Sequence, residues 1–205
     1  MGKIEILKTG ITNLETDAIV NAANENLWEG GGVCGIIFQA AGARELQAAC
    51  NAIGGCKTGS AVITSGFKLK SKYIIHAVGP RWTDGKHNEP NLLFNAYNQA
   101  LSLAVYYGCK SIGFPLISAG IFGYPVDKAW RKALQACLGF LNANPDIDLD
   151  IQFAVIDDKI LDIGKRTLAE LKKERTTLYL KLLDDDSLQR IRQRIHLLQL
   201  PILFF

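Results

Sequence analysis

Short apolar segments alternate along this 205-residue chain with longer segments of helical periodicity. Runs rich in β-branched and aromatic residues predict β-strands at residues 3–7, 17–20, 60–65, 72–78, 111–117 and 151–156. Helical spacing of apolar residues predicts a helix or helix pair over residues 33–53, and helices over 91–107, 126–141 and 161–171. Strands that alternate with helices predict an α/β fold in which helices cover both faces of the sheet.

The chain changes character at Lys172. Beyond it lie clusters of charged residues, an apolar end at residues 201–205, and a stripe at helical spacing formed by Leu188, Ile191, Ile195 and Leu198. We therefore predict a domain over residues 1–171 and a helical C-terminal extension over residues 172–205. The apolar end predicts packing on the domain or on a second copy, and the alternative is a helix that binds a partner or a membrane surface.

Composition narrows the class of protein. Hydrophobic residues make up 48% and charged residues 21%, which is typical of a soluble globular domain. The net charge is only +3 and the first 170 residues contain no Lys/Arg block, which disfavours nucleic acid as the main ligand. The five cysteines form no C-x-x-C pair and the three histidines are isolated, so we expect neither a metal site nor a disulfide framework. The chain shows no signal-peptide core and no run of about 18 apolar residues, and we predict a cytoplasmic protein.

Two glycine-rich loops carry the candidate chemistry. The first glycine loop (residues 30–33) and the second glycine loop (residues 118–123) each follow a predicted strand and precede a predicted helix. Backbone N–H groups in such loops form a cradle for anions at the carboxyl ends of the strands. Neither loop has the Gly-Lys-Ser/Thr of a P-loop, so the pair predicts a diphosphate that is bound rather than transferred. Each loop taken singly is equally consistent with a tight turn.

Six segments together resemble a known family. They are DAIVNAAN at 17–24, GGGV-x-G at 30–35, CKTGSAVIT at 56–64, IHAVGP at 75–80, NEPNLLFNAY at 88–97 and FPLISAGIFGYP at 114–125. In this order they resemble the macrodomains, most closely the bacterial O-acetyl-ADP-ribose deacetylases grouped with the MacroD-type ADP-ribosylhydrolases. The resemblance covers roughly residues 1–171 and implies a three-layer α/β/α fold with a mixed central sheet. It also implies that ADP-ribose lies across the crest of that sheet, with no cofactor.

The resemblance implies a role for individual residues. Asn24 is expected to hydrogen-bond the distal ribose, and Phe122 to pack on that ribose and help fix its anomeric carbon. Ile11, Ile156 and Asp157 are expected to border the adenine. The diphosphate is expected to lie on the backbone of Gly31, Gly32, Val33, Ser118, Ala119, Gly120, Ile121, Phe122 and Gly123.

Two residues depart from the family pattern. Gly10 stands where the family has an aspartate that accepts a hydrogen bond from the adenine amino group. Loss of that hydrogen bond is expected to weaken binding by about 1–3 kcal/mol. Cys34 stands where the enzymes have an aspartate that positions or activates water, and a thiol with a reference pKa of about 8.5 is a poor base near neutrality. Cys34 is read as a residue at the catalytic position that either fills space or acts as a nucleophile near a helix N-terminus.

The function that the resemblance implies is therefore hydrolysis of an ester at the distal ribose. The expected substrate is O-acetyl-ADP-ribose or a protein with mono-ADP-ribosylated Asp or Glu, and the substrate's own phosphate would orient the water. The alternative is a module that binds ADP-ribose without turnover. Nucleic acid is not expected as a partner.

Overall fold

The computed structural model describes residues 2–184, with side chains described to residue 178. The strands are β1 (Ile4–Lys8), β2 (Ala18–Ala22), β3 (Ala61–Ser65), β4 (Tyr73–Ala77), β5 (Ser111–Phe114) and β6 (Asp150–Val155). The helices are α1 (Val33–Ala41), α2 (Ala43–Ile53), α3 (Glu89–Tyr106), α4 (Val126–Ala143) and α5 (Asp158–Asp184), and a short 3-10 turn covers Ile11–Asn13.

The strands form one mixed sheet in the order β1-β6-β5-β2-β4-β3. Five strands are parallel, and β3 pairs with β4 in the antiparallel direction. The carboxyl ends of the five parallel strands therefore meet along one edge of the sheet. In parallel sheets this edge is where ligands bind, because the loops and helix N-termini that follow the strands converge there.

Each face of the sheet packs against helices because side chains alternate along the strands. On one face Ile19 and Ile74 are buried against Phe38 of α1 and Leu46 of α2. The other face is aromatic: its rings are in contact with one another and come from Tyr97 of α3, Phe114, Trp130 of α4 and Phe153. The predicted three-layer arrangement with a mixed sheet is confirmed.

The strands and helices predicted between residues 3 and 171 are all present, and the end of the last helix is corrected. The run at residues 111–117 is interrupted by Pro115, which has no N–H for the ladder and predicts a strand followed by its exit, and the observed strand ends accordingly at Phe114. The last helix does not end at Leu171: it begins at Asp158 and runs to Asp184. No glycine or proline interrupts residues 165–184, so the charged cluster after Lys172 continues the helix.

Residue contacts divide the chain into two compact units, residues 1–167 and residues 168–205. The first unit holds the sheet, α1 to α4 and the start of α5, where Gly164 lies against the ring of Trp130. The boundary predicted at residue 171 stays a prediction, and the predicted apolar stripe from Leu188 to Leu198 lies outside the described residues. Within the described range, no helix combines the length and apolarity that crossing a membrane requires.

Candidate functional site

A cavity of about 280 Å³ opens at the carboxyl ends of β2 and β5. Both glycine loops line it, as the sequence predicts. Its lining residues are Ala22, Ala23, Asn24, Gly30, Gly31, Gly32, Val33, Cys34, Gly79, Arg81, Leu116, Ile117, Ser118, Gly120, Ile121 and Phe122. The fold therefore brings together two loops that lie more than 80 residues apart in the sequence.

The turn before the first glycine loop, which we call the Asn24 turn (residues 24–28), is closed by a side chain. The Asn24 amide donates to the Trp28 carbonyl oxygen at 2.8 Å, and its side-chain oxygen accepts from the Trp28 N–H at 3.1 Å. Leu27 within the turn has a φ of 58° and is fully buried, which fixes the turn to the core. Asn24 thus has a structural task in addition to its place on the cavity.

Further side-chain bonds attach this region to the surrounding helices. The Glu29 N–H donates to Gln47 of α2 at 2.8 Å, and the Glu29 carboxylate accepts from Gln39 of α1 at 2.6 Å. The Glu25 carboxylate accepts from both the N–H and the hydroxyl of Thr58, at 3.0 and 2.7 Å. Hydrogen bonds to neighbouring elements therefore fix the approach to the first glycine loop.

Close approach requires glycine at Gly35 and favours it at Gly31, and a positive φ favours it at Gly32. A Cβ on Gly35, in the first turn of α1, would lie 2.7 Å from the carbonyl oxygen of Gly30. A Cβ on Gly31 would lie 3.2 Å from the Ile121 side chain, which reaches across from the second glycine loop. Gly32 has a φ of 61° and precedes α1, whose first-turn N–H groups have no acceptor within the helix. The backbone is thus exposed to the cavity.

The second glycine loop is held by its own backbone. The Tyr124 N–H donates to the Ser118 carbonyl oxygen at 3.0 Å, and the Gly123 N–H to that of Gly120 at 2.9 Å. Ser118 has a φ of 66°, and its buried hydroxyl has no hydrogen-bond partner among the described residues. Left-handed backbone at a non-glycine residue is costly and is common where loops bind ligands.

Arg81 is a cavity residue that sequence reasoning missed. Its guanidinium lies 4.4 Å from the centre of the Phe122 ring, and the next N–H, of Trp82, donates to the Phe122 carbonyl oxygen at 2.9 Å. Of the described residues that line the cavity, Arg81 alone carries a formal charge. The sequence signal that could have identified Arg81 is its position directly after the Gly-Pro that follows β4.

Cys34 lies on the cavity wall with 5% of its surface exposed. Its sulfur is 3.8 Å from the Trp28 carbonyl oxygen. Burial raises the pKa of the Cys34 thiol above its usual range, despite opposing hydrogen bonds from the Gly30 backbone and the Asn21 side chain. The thiol is therefore protonated near neutral pH and is a poor base and a poor nucleophile.

A buried polar chain runs from Cys34 towards His76. The Asn21 amide lies 3.1 Å from His76 Nδ1, and the Thr64 hydroxyl lies 3.0 Å from His76 Nε2. Burial lowers the pKa of His76 to about 4, so the imidazole is neutral at physiological pH. His76 is thus a satisfied structural histidine, and Asn21 separates it from the Cys34 thiol.

Five predicted ligand residues lie outside the cavity lining: Ile11, Ala119, Gly123, Ile156 and Asp157. Ile11 is buried in the short 3-10 turn that follows β1, whereas Ile156, which follows β6, is 75% exposed. β1 and β6 pair in parallel up to Lys8 and Val155, so the residues that follow them lie at the same edge of the sheet. The exposed Asp157 carboxylate accepts the Ile160 N–H at 2.9 Å and caps the start of α5.

A separate acidic cluster can be explained without a metal. Asp84, His87 and Glu89 bring their ligand atoms within 4.8 Å of one another. The Glu89 carboxylate accepts the N–H groups of Thr83, Asp84, Gly85 and His87, at 2.6 to 3.3 Å. Burial raises the pKa of Glu89, but these backbone hydrogen bonds outweigh it and bring the pKa down to about 2. The cluster holds its own loop together.

The chain is similar to macrodomains both in sequence and in fold. The family model for the macro domain matches residues 20–133. The O-acetyl-ADP-ribose deacetylase 1 of Pantoea vagans is 40% identical over 90% of this chain and 100% of its own length. A macro domain-containing protein of Caldanaerobacter subterraneus is 45% identical over 83% of this chain and 98% of its own.

Solved macrodomain structures also superpose on this chain. The Oceanobacillus iheyensis macrodomain with ADP superposes with a TM-score of 0.80 at 39% identity, over 84% of this chain and 93% of that one. The Trypanosoma brucei macrodomain in complex with ADP-ribose gives a TM-score of 0.72 at 35% identity, over 80% and 68% of the two chains. Since the family model spans more than half of the sequence, the chain belongs to the macro domain family.

Proposed function

We propose that this chain binds ADP-ribose in the cavity between the two glycine loops and hydrolyses an ester at the distal ribose. The observation that carries the proposal is the convergence of two backbone loops, one of which opens α1, on a single cavity. Backbone N–H groups in such loops and at helix N-termini bind phosphate oxygens. The Oceanobacillus and Trypanosoma macrodomains, solved with ADP and with ADP-ribose, support the same ligand here.

In this proposal the diphosphate lies between Gly31, Gly32 and Val33 on one side and residues 118–123 on the other. The free N–H groups of the first turn of α1 supply donors, and the helix dipole favours the negative charge. The Ile121 side chain, which lies over Gly31, covers the outer side. Ala119 and Gly123 contribute only as parts of the second glycine loop.

The adenine lies beyond the cavity, where β1 and β6 end. Ile11 supplies an apolar surface and Ile156 an exposed one. Gly10 offers no carboxylate to the adenine amino group, and Asp157 at the neighbouring strand end is the candidate substitute. Because one Asp157 oxygen already accepts the Ile160 N–H, the other oxygen is the acceptor in this proposal.

The distal ribose lies between Asn24 and Phe122. Asn24 uses one N–H and one lone pair on Trp28, and a carboxamide has a second of each for ribose hydroxyls. Phe122 packs on the sugar, and its ring is backed by the Arg81 guanidinium. Such a fixed arrangement holds the anomeric carbon in one orientation, which accelerates attack by a positioned water.

The water is oriented by the phosphate of the substrate. Cys34 occupies the position of the family's aspartate, but burial raises the pKa of its thiol, so it shapes the wall and does not take a proton. The substrates in this proposal are O-acetyl-ADP-ribose and mono-ADP-ribosylated Asp or Glu. For the Asp or Glu ester, water attacks the anomeric carbon and the side chain leaves as a carboxylate, which needs little protonation near neutral pH. For O-acetyl-ADP-ribose, water attacks the acetyl carbonyl carbon, acetate is released, and the ribose oxygen takes the proton of the water.

The competing function is an ADP-ribose reader without turnover. It is favoured by one observation: the described residues that line the cavity include no carboxylate. A site without a general base loses about 10²–10⁴-fold in rate when the chemistry depends on one. The two functions share the same binding site and differ only in the chemical step.

Two measurements on the purified protein test the proposal. Calorimetry with ADP-ribose measures binding, and release of ADP-ribose from a glutamate-modified protein measures turnover. We expect both to be positive. Binding without release above the buffer rate would establish the reader and overturn the hydrolase, and no binding at millimolar ADP-ribose would overturn both.

A further inference from the structure

A second cavity of about 300 Å³ adjoins the first on the far side of Trp82. The same two segments line both cavities: Arg81 lines the first and the next residue, Trp82, the second, whereas Phe122 lines the first and Tyr124, two positions later, the second. We call this second cavity the basic groove; the residues that define it are Trp82, Tyr124, Lys128, Arg131 and Lys132.

The floor of the basic groove is aromatic. The rings of Trp82 and Tyr124 are 4.5 Å apart between centres, and the Lys128 ammonium lies 5.0 Å from the centre of the Trp82 indole. The loop that carries Trp82 is fixed from below by the buried Glu89 carboxylate, which accepts the N–H groups of Thr83 and Gly85. The groove is therefore preorganised and needs little ordering on binding.

The charge of the groove is mainly positive. Three cations of α4 line it: Lys128 and Arg131 are exposed, and Lys132 is half-buried. Asp84 is the one acidic side chain among the described lining residues. Its carboxylate oxygen already accepts the Lys86 N–H at 2.8 Å and lies 3.0 Å from His87 Nδ1, so its charge is directed to its own loop.

We propose that the basic groove binds acidic side chains of a protein whose neighbouring Asp or Glu carries ADP-ribose. This inference rests on the proposed function, and it selects modified proteins as the substrate class over small O-acyl esters. It assigns Lys128 and Lys132 to substrate specificity. Arg81, stacked on Phe122, stands between the ribose site and the groove.

The position of the groove favours a polypeptide. In the proposed function the distal ribose lies against Phe122, whose ring contacts Arg81 and whose carbonyl oxygen accepts the Trp82 N–H, and we place the path of a group attached to the ribose past these two residues. An acetyl group ends there, whereas a modified Glu continues into a chain that must cross the groove. Ammonium and guanidinium groups on that path attract carboxylates, and opposite charge also speeds encounter.

The test compares two peptides in which ADP-ribose is joined through an amide that ester hydrolysis does not cleave. One has Glu and Asp flanking the modified residue, and the other has Gln and Asn there. Calorimetry at low salt gives Kd for each peptide and for free ADP-ribose, with the wild-type protein and with the double variant Lys128→Glu, Lys132→Glu. The matched control is Lys68→Glu, Lys110→Glu, which makes the same charge change at exposed sites near the amino ends of β4 and β5.

We expect the groove variant to raise Kd for the acidic peptide about tenfold and to leave Kd for ADP-ribose within about twofold. The neutral peptide and the control variant should change little. If the wild-type protein binds both peptides equally, or both variants weaken the acidic peptide alike, the inference is overturned while the proposed function stands. If the groove variant instead loses affinity for single-stranded RNA and not for the acidic peptide, the groove is a nucleic-acid surface and the inference is wrong. No binding of ADP-ribose by the wild-type protein would overturn both.

Discussion

The two glycine loops line the same cavity but are held in place differently. The first, with the Asn24 turn, is fixed by side chains: Asn24 bonds Trp28, Glu25 bonds Thr58, and Glu29 bonds both α1 and α2. The second is held by its own backbone hydrogen bonds at Ser118 and Gly120. One wall of the cavity is thus attached to neighbouring elements by side chains, whereas the other is held by backbone hydrogen bonds, to which the Trp82 N–H adds one at the Phe122 carbonyl oxygen.

This difference determines how easily each loop can change its position. A shift of the first loop must break side-chain hydrogen bonds to neighbouring elements, and a typical intramolecular hydrogen bond contributes about 0.5–1.5 kcal/mol to stability. The second loop can shift at a lower cost, because the Ser118 hydroxyl has no partner in the described structure and Ile121 is 71% exposed. We infer that the first loop sets the geometry of the diphosphate site and the second closes over the ligand.

The largest effect is expected from Gly35→Ala. The new Cβ would lie 2.7 Å from the Gly30 carbonyl oxygen, so backbone of the first loop must move. We expect the affinity for ADP-ribose to fall about 100-fold, because the phosphate donors move with that backbone. Calorimetry measures the loss, and circular dichroism verifies that the variant is folded.

Gly139→Ala is the matched control for this change. Gly139 also lies in a helix, is exposed, and has no atom within 4 Å of the position of a new Cβ. Alanine there should leave affinity unchanged and raise stability by about 0.5–1 kcal/mol. If Gly35→Ala binds as well as this control, the first loop is not rigid.

Asn24→Ala tests the side chain that joins the Asn24 turn to the ribose site. We expect turnover to fall about 30-fold and affinity only a few-fold, because alignment of the ribose contributes mainly in the transition state. Initial rates and calorimetry on the same preparation separate the two effects. Equal losses in both would mean that Asn24 acts only by closing the turn on Trp28.

Cys34→Asp tests the end of the first loop. We expect turnover to rise about tenfold, since a carboxylate near a helix N-terminus supplies the base that a protonated thiol does not. Cys34→Ser, which offers no base, is the control and should show no rise. For the wild-type protein we expect no change in rate as the pH passes the usual thiol pKa of about 8.5, because burial raises the pKa of Cys34. A fall in the Asp variant would mean that the thiol or its packing is needed.

Much of this comparison was visible in the sequence, and some of it was not. The strand pattern and the two glycine runs predicted the sheet and both walls of the cavity, because period and glycine content are local properties. Arg81 was missed because its role depends on Phe122, which lies 41 positions away in the chain and meets it only in the fold.

The difference between the two walls was also beyond local reasoning. The bonds from Asn24 to Trp28 and from Glu29 to Gln47 depend on side-chain directions, and the sequence shows only that polar residues occur there. The predicted end of the last helix at Leu171 was wrong for another reason. The charged cluster that begins at Lys172 predicted a boundary, but Lys and Glu are good helix formers and continue a helix where no glycine or proline stops it.

Gly79→Ala makes the corresponding test of the second loop. Its Cβ would overlap both the Ser118 hydroxyl and the Ile117 side chain, so the chain at the start of the second loop must shift. Because that hydroxyl has no bond to lose, the loop can yield, and we expect calorimetry to show a loss of affinity of about fivefold to tenfold. A loss as large as that of Gly35→Ala would contradict the contrast between the loops.

The smallest effect is expected from Ile121→Ala. This change removes most of the side chain that covers the proposed diphosphate site and leaves the backbone of the second loop in place. The side chain lies over Gly31 and is mostly exposed, so its removal costs little burial in the free protein. We expect affinity for ADP-ribose to fall about threefold, mainly through faster dissociation of the ligand. Stopped-flow displacement gives that rate, with Ile36→Ala as control, because Ile36 is also exposed but does not line the cavity. A change equal to that control would show that Ile121 does not cover the ligand. A loss above about 30-fold would show that this loop, too, sets the geometry of the site.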